Sequence, residues 1–463
     1  MSFFMQRIPS KKLLEWLGSL NYWLSRRARG LFSLGSRFMA DPLPPASELN
    51  VMALGPGGYR RSVLFLHNSY YHFLYLAEAL RRRGWDALSV SLEPSSGPNE
   101  CFYHGEDVNL YHEDPATFTA RLQMLVKEIP RRFRMVHFAG DGMMSVFPSG
   151  QDVGPRREAI PWDFIALKRA GVKIGYTVAG CNDGIAQSSF SRWSERSCDK
   201  CTLKGRADVC SDLRNLAWGH KREMFCDLIA TEMLPALDYC SGPKTFREPL
   251  TMSLDPEVWR PDLEVPTRHR IERKPSDILV YHGVGNYFNE RYLGNRDYKG
   301  TWAVKLAIER LQAEGYPVRL IFVHDVPSRE VRFLQVQVDI VVDQLNCGRY
   351  GANARECLML GKPVVGNVRL TEENGIPPLV SLAECPIVHA TEETVETVLR
   401  ELIRDPERRR KLGCASRAYA LKWHAADAAA ARFEPVYDWI LSGHSPNEAP
   451  VIVPELSVIS TVS

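Results

Sequence analysis

The chain of 463 residues is too long to fold around one hydrophobic core, so its length predicts two or three domains. Hydrophobic residues make up 45% of the sequence and charged residues 24%, a balance that excludes a largely disordered protein. The formal net charge of +3 is too small to indicate nucleic acid as a partner. Eleven cysteines without a recognisable export signal indicate a reducing compartment, so we expect a cytoplasmic protein.

The basic charge is concentrated near the amino end. Residues 1–40 contain seven Lys and Arg side chains against the single acid Glu15. Apolar residues recur there at helical spacing, and charged residues interrupt them too early for a membrane-spanning helix. Residues 1–50 are therefore interpreted as a basic amphipathic leader. Two roles stay open for it: contact of residues 10–39 with the inner face of a membrane, and docking on the protein's own surface.

Strands of the buried type alternate with helices in the first predicted domain, residues 51–250. Strands are predicted at 62–66, 87–91, 135–138 and 172–178. Helices are predicted at 70–83, 115–129 and 162–169. This alternation predicts a parallel sheet that is covered by helices on both faces. Polar sequence with several cysteines interrupts the alternation over 181–215, and a helix is expected to resume before Tyr239.

A second alternation follows a Pro-rich, charged stretch over 251–274 that predicts a linker. In this second domain, residues 275–424, strands are predicted at 278–282, 318–323, 340–342 and 363–366. Helices are predicted at 302–314, 353–360, 393–404 and 407–422. A last helix over 425–441 is expected to cross back to the first domain, and residues 442–463 to form a flexible tail. The predicted fold class is α/β, with two Rossmann-like doubly wound domains facing across a cleft.

The most informative stretch lies between the predicted strand at 340–342 and the helix that follows it. Gly348 and Gly351 precede this helix, and Gly361 ends it before the next strand. Unpaired backbone amides at a helix N-terminus attract anions, so we expect a diphosphate to bind there. The alternative is an ordinary turn between a strand and a helix that happens to contain glycines.

The same stretch resembles the donor-site signature of a known enzyme family. Tyr350-Gly351, Glu356 and Gly361-Lys362-Pro363-Val364 are similar to those of retaining GT-B glycosyltransferases of the glycogen synthase-like and sucrose synthase-like group. The resemblance implies that Glu356 binds the ribose of a nucleotide sugar and that the adjacent backbone contacts its diphosphate and sugar. The donor-binding residues that the resemblance implies are Gly283, Tyr350, Gly351, Ala352 and Asn353.

A basic pair upstream resembles a second motif of that group. Arg296 and Lys299 lie between the strand that ends near Gly283 and the predicted helix at 302–314. Arg offers a bidentate fork and Lys a compact charge, and the two together neutralise phosphate oxygens as a sugar–phosphate bond breaks. The implied catalytic residues are Arg296, Lys299 and Glu356. A solvated basic turn is the alternative.

The first predicted domain resembles an acceptor domain by pattern alone. The weak candidates for the acceptor side, which follow predicted strands, are His67, Asn68, Asn182 and Asp183. Two positions depart from the family. Its Glu-x7-Glu pattern has an acid where Gly348 stands, and many members have a histidine where Ala179 stands.

Three cysteines have the spacing of a zinc knuckle, with two residues between Cys198 and Cys201 and with Cys210 downstream. Candidates for a fourth ligand are Cys181, His220 and Cys226. Unligated thiols and a redox disulfide are the alternatives. A zinc ion bound here is expected to be structural, because the implied catalysis requires no cofactor.

The predicted function is therefore transfer of a sugar from a nucleotide-diphosphate sugar to a glycan or lipid-linked acceptor, with retention and without a metal. Two alternatives stay open. One is a degenerate, non-catalytic GT-B protein that binds a nucleotide sugar or a partner, which the missing acid at Gly348 favours. The other is a nucleotide-sugar epimerase with the same fold.

Overall fold

The computed structural model describes residues 43, 60–66, 73–95, 100, 104–139, 145–147, 161–178, 180–194, 196–285, 297–370, 379–449, 451 and 453. Apart from Leu43, the predicted leader lies outside these ranges, as do His67, Asn68 and Arg296. Within the described ranges, no helix has the length and apolar character that a membrane span requires.

The described strands form two parallel sheets. The strands of the first sheet are β1 (Ser62–Leu66), β2 (Asp86–Ser91), β3 (Val108–Asn109), β4 (Met135–Ala139), β5 (Lys173–Thr177), β6 (Leu228–Ala230) and β7 (Thr245–Phe246). Those of the second sheet are β8 (Ile278–Val284), β9 (Val318–His324), β10 (Ile340–Val342), β11 (Val364–Gly366) and β12 (Val388–His389). The first sheet has the order β3-β2-β1-β4-β5-β6-β7 and the second the order β12-β11-β10-β8-β9.

Helices connect these strands and cover the sheets. Those associated with the first sheet are α1 (Phe73–Arg82), α2 (Pro115–Arg132), α3 (Trp162–Arg169), α4 (Gln187–Ser194), α5 (Ser197–Lys200) and α6 (Asp212–Phe225). Those that follow are α7 (Thr301–Ala313), α8 (Ser328–Gln335), α9 (Ala352–Met359), α10 (Val380–Ala383), α11 (Val395–Arg404), α12 (Pro406–Trp423) and α13 (Ala426–Leu441). Short 3-10 helices lie at Asp238–Cys240, Thr267–His269 and Pro446–Glu448. The predicted α/β class with two parallel sheets is confirmed.

Local sequence explains the elements that were predicted best. All five residues of β1 are buried, as its continuous apolar run predicts for a strand covered on both faces. The start of α2 is fixed by Asp114, whose carboxylate accepts a hydrogen bond from the backbone of Thr117 at 2.8 Å, and by Pro115 in the first turn. The same arrangement begins α12, where Asp405 accepts from the backbone of Arg408 at 2.8 Å.

Several segments differ from the predictions, and the short strands β3, β6, β7 and β12 and helix α10 have no predicted counterpart. The stretch over 181–215, where no helix is predicted, contains α4 and α5 and the start of α6. Helix α8 was not predicted, because only three of its eight residues are buried and its apolar pattern is correspondingly short. Residues 442–449 were assigned to a flexible tail, yet Ala449 is 7% exposed and Trp439 donates to the carbonyl of Ser445 at 3.0 Å. Apolar burial therefore fixes the first part of that segment.

The last helix, α13, packs on α1 of the first sheet. Phe433 contacts Phe65 of β1 with ring centroids 5.7 Å apart, and the indole of Trp85 donates to Glu434 at 2.9 Å. One apolar cluster runs from α1 through α13 to Cys357 and Leu358 of α9. The second half of the chain is thus attached to the first through its final helix.

Candidate functional site

Two strand ends of the second sheet carry the candidate site. Strand β10 pairs with β8 so that Val341 lies beside Tyr281, and the carboxyl ends of both strands meet at one edge of the sheet. Gly283 lies at the end of β8, and Asp343 directly follows β10. A side chain at Gly283 would meet the hydroxyl of Tyr281 at 2.3 Å, so only glycine fits there. Ligands of doubly wound sheets bind at such edges.

Lys299 lies at this edge and contacts the ends of both strands. Its ammonium donates to the carbonyl of Gly283 at 2.8 Å and lies 3.3 Å from Oδ1 of Asp343. Asp343 is almost fully buried, which by itself would raise its pKa. The Lys299 charge and hydrogen bonds from Gly351 and Asn353 outweigh burial, and the pKa of Asp343 falls below its ordinary value. Asp343 therefore stays ionised and balances the Lys299 charge.

The N-terminus of α9 faces the same edge. Gly351 precedes α9 in an extended conformation, and no atom of the described residues lies within 4 Å of the point where a side chain would begin. The side chain of Asn353 accepts hydrogen bonds from the Tyr281 hydroxyl at 3.1 Å and from Gln335 at 3.0 Å. Open space before the first amides of α9 is the arrangement that binds anions.

Glu356 lies one turn along α9 from Asn353 and is 5% exposed. Gln335 of α8 donates to Oε2 of Glu356 at 3.0 Å, and Nε2 of His104 lies 3.7 Å from Oε1. Burial raises the pKa of Glu356 to about 7, although Gln335 and Lys299 favour its ionised form. Burial, with the nearby Arg332 charge, lowers the pKa of His104 to about 3. His104 is therefore neutral at pH 7, and its contact with Glu356 is not an ion pair.

No family model matches the chain, and no curated protein matches its sequence. Solved structures do match. Sucrose-phosphate synthase from Thermosynechococcus elongatus is 13% identical, and the match covers 83% of this chain and 100% of that one with a TM-score of 0.51. A glycosyltransferase from Rickettsia africae is 11% identical, with coverage of 83% and 99% and a TM-score of 0.48. Starch synthase IV from Arabidopsis thaliana, solved with ADP and acarbose, is 10% identical, with coverage of 82% and 99% and a TM-score of 0.47.

The chain has the GT-B fold. This statement rests on the likeness to sucrose-phosphate synthase, which extends over both sheets. In this GT-B chain, Lys299, Asp343 and the start of α9 lie at one edge of the second sheet.

Tyr350 has its side chain outside this group. Its hydroxyl lies 2.5 Å from that of Tyr419 and 3.0 Å from Nε2 of His424, in a buried cluster beside α12. Only its backbone leads into Gly351. The structure therefore brings together Gly283, Lys299, Gly351, Ala352, Asn353 and Glu356 from the predicted residues.

Gly348 stands where the resemblance predicts an acid, and its surroundings explain why no acid is present. Its φ of 76° favours glycine, and a side chain there would meet the indole of Trp193 at 2.8 Å. Trp193 belongs to α4 on the side of the first sheet. Its indole lies 4.8 Å from the guanidinium of Arg349 and 5.5 Å from that of Arg369. An aromatic side chain thus fills the space that the family's acid would enter.

The acceptor-side candidates in the described ranges are Asn182 and Asp183. Asp183 is 2% exposed, and its carboxylate accepts from the hydroxyl of Tyr176 at 3.2 Å. Its carbonyl accepts from the buried guanidinium of Arg222. Asp183 is therefore held inside the first domain, whereas Asn182 is half-buried in the turn after β5.

Four residues near the site were not among the predicted ones. They are His104, Tyr281, Gln335 and Asp343. Asp343 directly follows a predicted strand, so the position of polar residues at strand ends could have identified it. Gln335 lies in the unpredicted α8, and His104 comes from the other sheet, so no local pattern indicated either residue.

The predicted zinc ligands Cys198, Cys201 and Cys210 line one small cavity together with Cys181. Within the described ranges, no three His, Cys, Asp or Glu side chains are arranged at metal-binding distances. Burial, followed by the proximity of Cys210, Cys201 and other thiols, raises the pKa of Cys181 well above its ordinary value. The four cysteines are therefore close neighbours.

Proposed function

We propose that the protein is a glycosyltransferase that binds a nucleotide-diphosphate sugar at α9 and transfers its sugar. The observation that carries the proposal is the convergence of Lys299, the α9 N-terminus and Glu356 at one strand edge of a GT-B fold. The α9 amides suit a diphosphate, and a carboxylate one turn further along suits ribose hydroxyls. These are the two polar parts that every nucleotide-diphosphate sugar offers.

The proposed chemistry rests on charge stabilisation. As the bond between sugar and phosphate breaks, negative charge grows on the leaving diphosphate. Lys299 and the amides at the start of α9 would stabilise that charge, with Arg296 as an additional cation by resemblance to the family. Asp343 would orient Lys299 through its 3.3 Å contact and hold the Lys299 ammonium against Gly283 before the donor binds.

The finer parts of the proposal rest on the family resemblance. They are retention of the anomeric configuration, catalysis without a metal, and a glycan or lipid-linked acceptor. We also propose that the protein acts in the cytoplasm, where the basic leader over 10–39 would meet the inner face of a membrane. Anionic lipids attract clustered Lys and Arg side chains.

Calorimetry with a panel of nucleotide-diphosphate sugars tests donor binding. We expect at least one member to bind, and the Glu356→Gln variant to bind it about tenfold or more weakly, because each hydrogen bond to a charged group contributes about 1.5 to 3 kcal/mol. Glu401→Gln, which makes the same change at an exposed carboxylate of α11 paired with Arg408, is the matched control and should bind normally. No binding by the parent, or equal binding by Glu356→Gln, would reject the assignment.

A second candidate function is nucleotide-sugar binding without transfer. Two observations favour it: Trp193 fills the space beside Gly348, and Asp343 already neutralises Lys299. Product analysis with radiolabelled donor separates the two functions. Release of the nucleoside diphosphate with appearance of labelled sugar or glycoside supports the enzyme, whereas tight binding without either product supports the binder.

A further inference from the structure

Four cysteines from three consecutive segments face one enclosed space. Cys181 lies in the turn after β5, Cys198 lies in α5, Cys201 ends α5, and Cys210 lies just before α6. All four line a cavity with about 20 Å³ of free volume. The sequence places these residues up to 29 positions apart, and the folding of 181–215 into two short helices brings them together.

Hydrogen-bond donors already point at two of the sulfurs. The backbone amide of Leu203 donates to Sγ of Cys201 at 3.4 Å. The side-chain amide of Gln187 lies 3.4 Å from Sγ of Cys210, and that of Asn215 lies 3.5 Å from the same atom. Donors of this kind stabilise the negative charge of metal-bound thiolates and fix the orientation of the ligand.

We propose that Cys181, Cys198, Cys201 and Cys210 bind one Zn²⁺ ion in a tetrahedral structural site. Four thiolates with two residues between one pair are a typical structural zinc set. The free volume is about that of one water molecule, so it accepts a single ion between the sulfurs and is too small for an iron–sulfur cluster. Binding requires the thiols to deprotonate and to turn from their present partners toward the ion.

The other two fourth-ligand candidates do not line the cavity. Cys226 lies at the end of α6, buried in the apolar cluster of the first sheet. His220 lies on α6 with its ring beside Tyr239, where Nδ1 is 3.5 Å from the phenol oxygen. Cys181 is therefore the fourth ligand.

The zinc site would fix the segment that contacts the second sheet. Lys200 of α5 forms an ion pair with Glu392 at 2.9 Å, and the hydroxyl of Ser197 donates to the carbonyl of Asn346. Tyr298 lines the cavity from the second sheet's side and donates to Cys347 at 2.8 Å. A zinc ion at the cysteines would hold α5 in place for these contacts.

Metal analysis of the full chain, purified in the reduced form without chelator, tests the site. We expect one zinc per chain in the parent and in Cys226→Ser and Cys414→Ser, which alter a buried thiol outside the cavity and an exposed thiol. Cys181→Ser and Cys201→Ser should each lose the zinc. A parent that contains no zinc and takes up none when Zn²⁺ is added overturns the proposal. Bound iron with visible absorbance, or full zinc retention by Cys181→Ser, overturns it as well.

Two further measurements keep the test decisive if a serine variant fails to fold. In the parent chain, alkylation of Cys201 and Cys210 should be slow with zinc and fast after chelation, while Cys414 reacts equally in both; unchanged rates at Cys201 and Cys210 would overturn the site. Gln187→Leu should lower zinc affinity by about tenfold, because it removes a donor to Cys210. Neither measurement uses a sugar donor, so the result is independent of the proposed function.

Discussion

At the scale of single residues, the candidate site contains two buried carboxylates with opposite behaviour. Asp343 lies beside Lys299, and its pKa falls below the ordinary value. Glu356 accepts a hydrogen bond from one neutral amide and faces a neutral His104, so burial dominates and raises its pKa to about 7. Asp343 is therefore kept ionised next to the α9 N-terminus. Ionisation of Glu356 costs free energy unless a ligand supplies hydrogen bonds.

Glu356→Gln should stabilise the protein in a pH-dependent way. Because the folded-state pKa is raised above the ordinary 4.5, ionisation favours the unfolded chain. The free-energy cost of ionising Glu356 in the folded protein is absent below pH 4.5, grows between pH 4.5 and pH 7, and is constant above pH 7. We expect the free energy of unfolding of the variant to exceed that of the parent by roughly 3 kcal/mol at pH 8 and to be close to it at pH 4.5. Urea unfolding at both pH values measures this, and an equal difference at both would contradict the raised pKa.

Lys299→Ala should lower kcat about 100-fold or more while changing donor affinity less, because its charge is needed most as the bond breaks. Lys305→Ala is the matched control, since Lys305 lies in α7 with its ammonium over the ring of Phe322, 4.3 Å from the ring centroid. Transfer rates and donor affinities of both variants provide the measurement. Parent-like turnover in Lys299→Ala would remove it from the catalytic residues.

At the scale of elements, the loop between β10 and α9 combines two glycines with different requirements. Gly348 has a positive φ and lies against Trp193, whereas Gly351 is extended and meets no neighbour within 4 Å among the described residues. The first glycine is needed to fold the loop. The second leaves room before the helix amides, where we expect the diphosphate.

Gly348→Ala and Gly351→Ala should therefore differ in stability. The first forces a left-handed alanine against a rigid indole, and we expect it to lose at least about 2 kcal/mol of the free energy of unfolding. The second should stay within about 0.5 kcal/mol of the parent. Urea unfolding of both variants decides the matter. A Gly351→Ala loss as large as that of Gly348→Ala would mean that the loop is strained at both positions.

The elements also show what the sequence could and could not predict. Apolar runs and capping residues identified most strands and helices, because burial on both faces leaves a continuous signal, as in β1. Lys299, Asn353 and Glu356 were found because they lie within a recognisable motif. His104 and Trp193 were not predicted as neighbours of the site. Both belong to the first half of the chain, and their contacts with the site arise only when the two halves pack together.

At the scale of the whole molecule, the two halves are in contact both near the candidate site and at the final helix. Near the site, the guanidinium of Arg349 donates to the carbonyl of Met233 at 2.7 Å. Farther along the chain, α13 carries Glu434 against the turn between α1 and β2.

The contact of Glu434 with the turn between α1 and β2 can be tested with a matched pair of variants. The buried carboxylate of Glu434 accepts from the indole of Trp85 at 2.9 Å and from Arg83 at 2.8 Å, whereas the pair of Asp427 with Arg82 is exposed. Glu434→Ala leaves a buried indole N–H without an acceptor, so we expect a loss of about 3 kcal/mol. Asp427→Ala should lose less than about 1 kcal/mol, and Glu434→Gln should recover part of the larger loss by accepting from Trp85. Equal losses in Glu434→Ala and Asp427→Ala, measured by urea unfolding, would show that α13 is held by apolar packing alone.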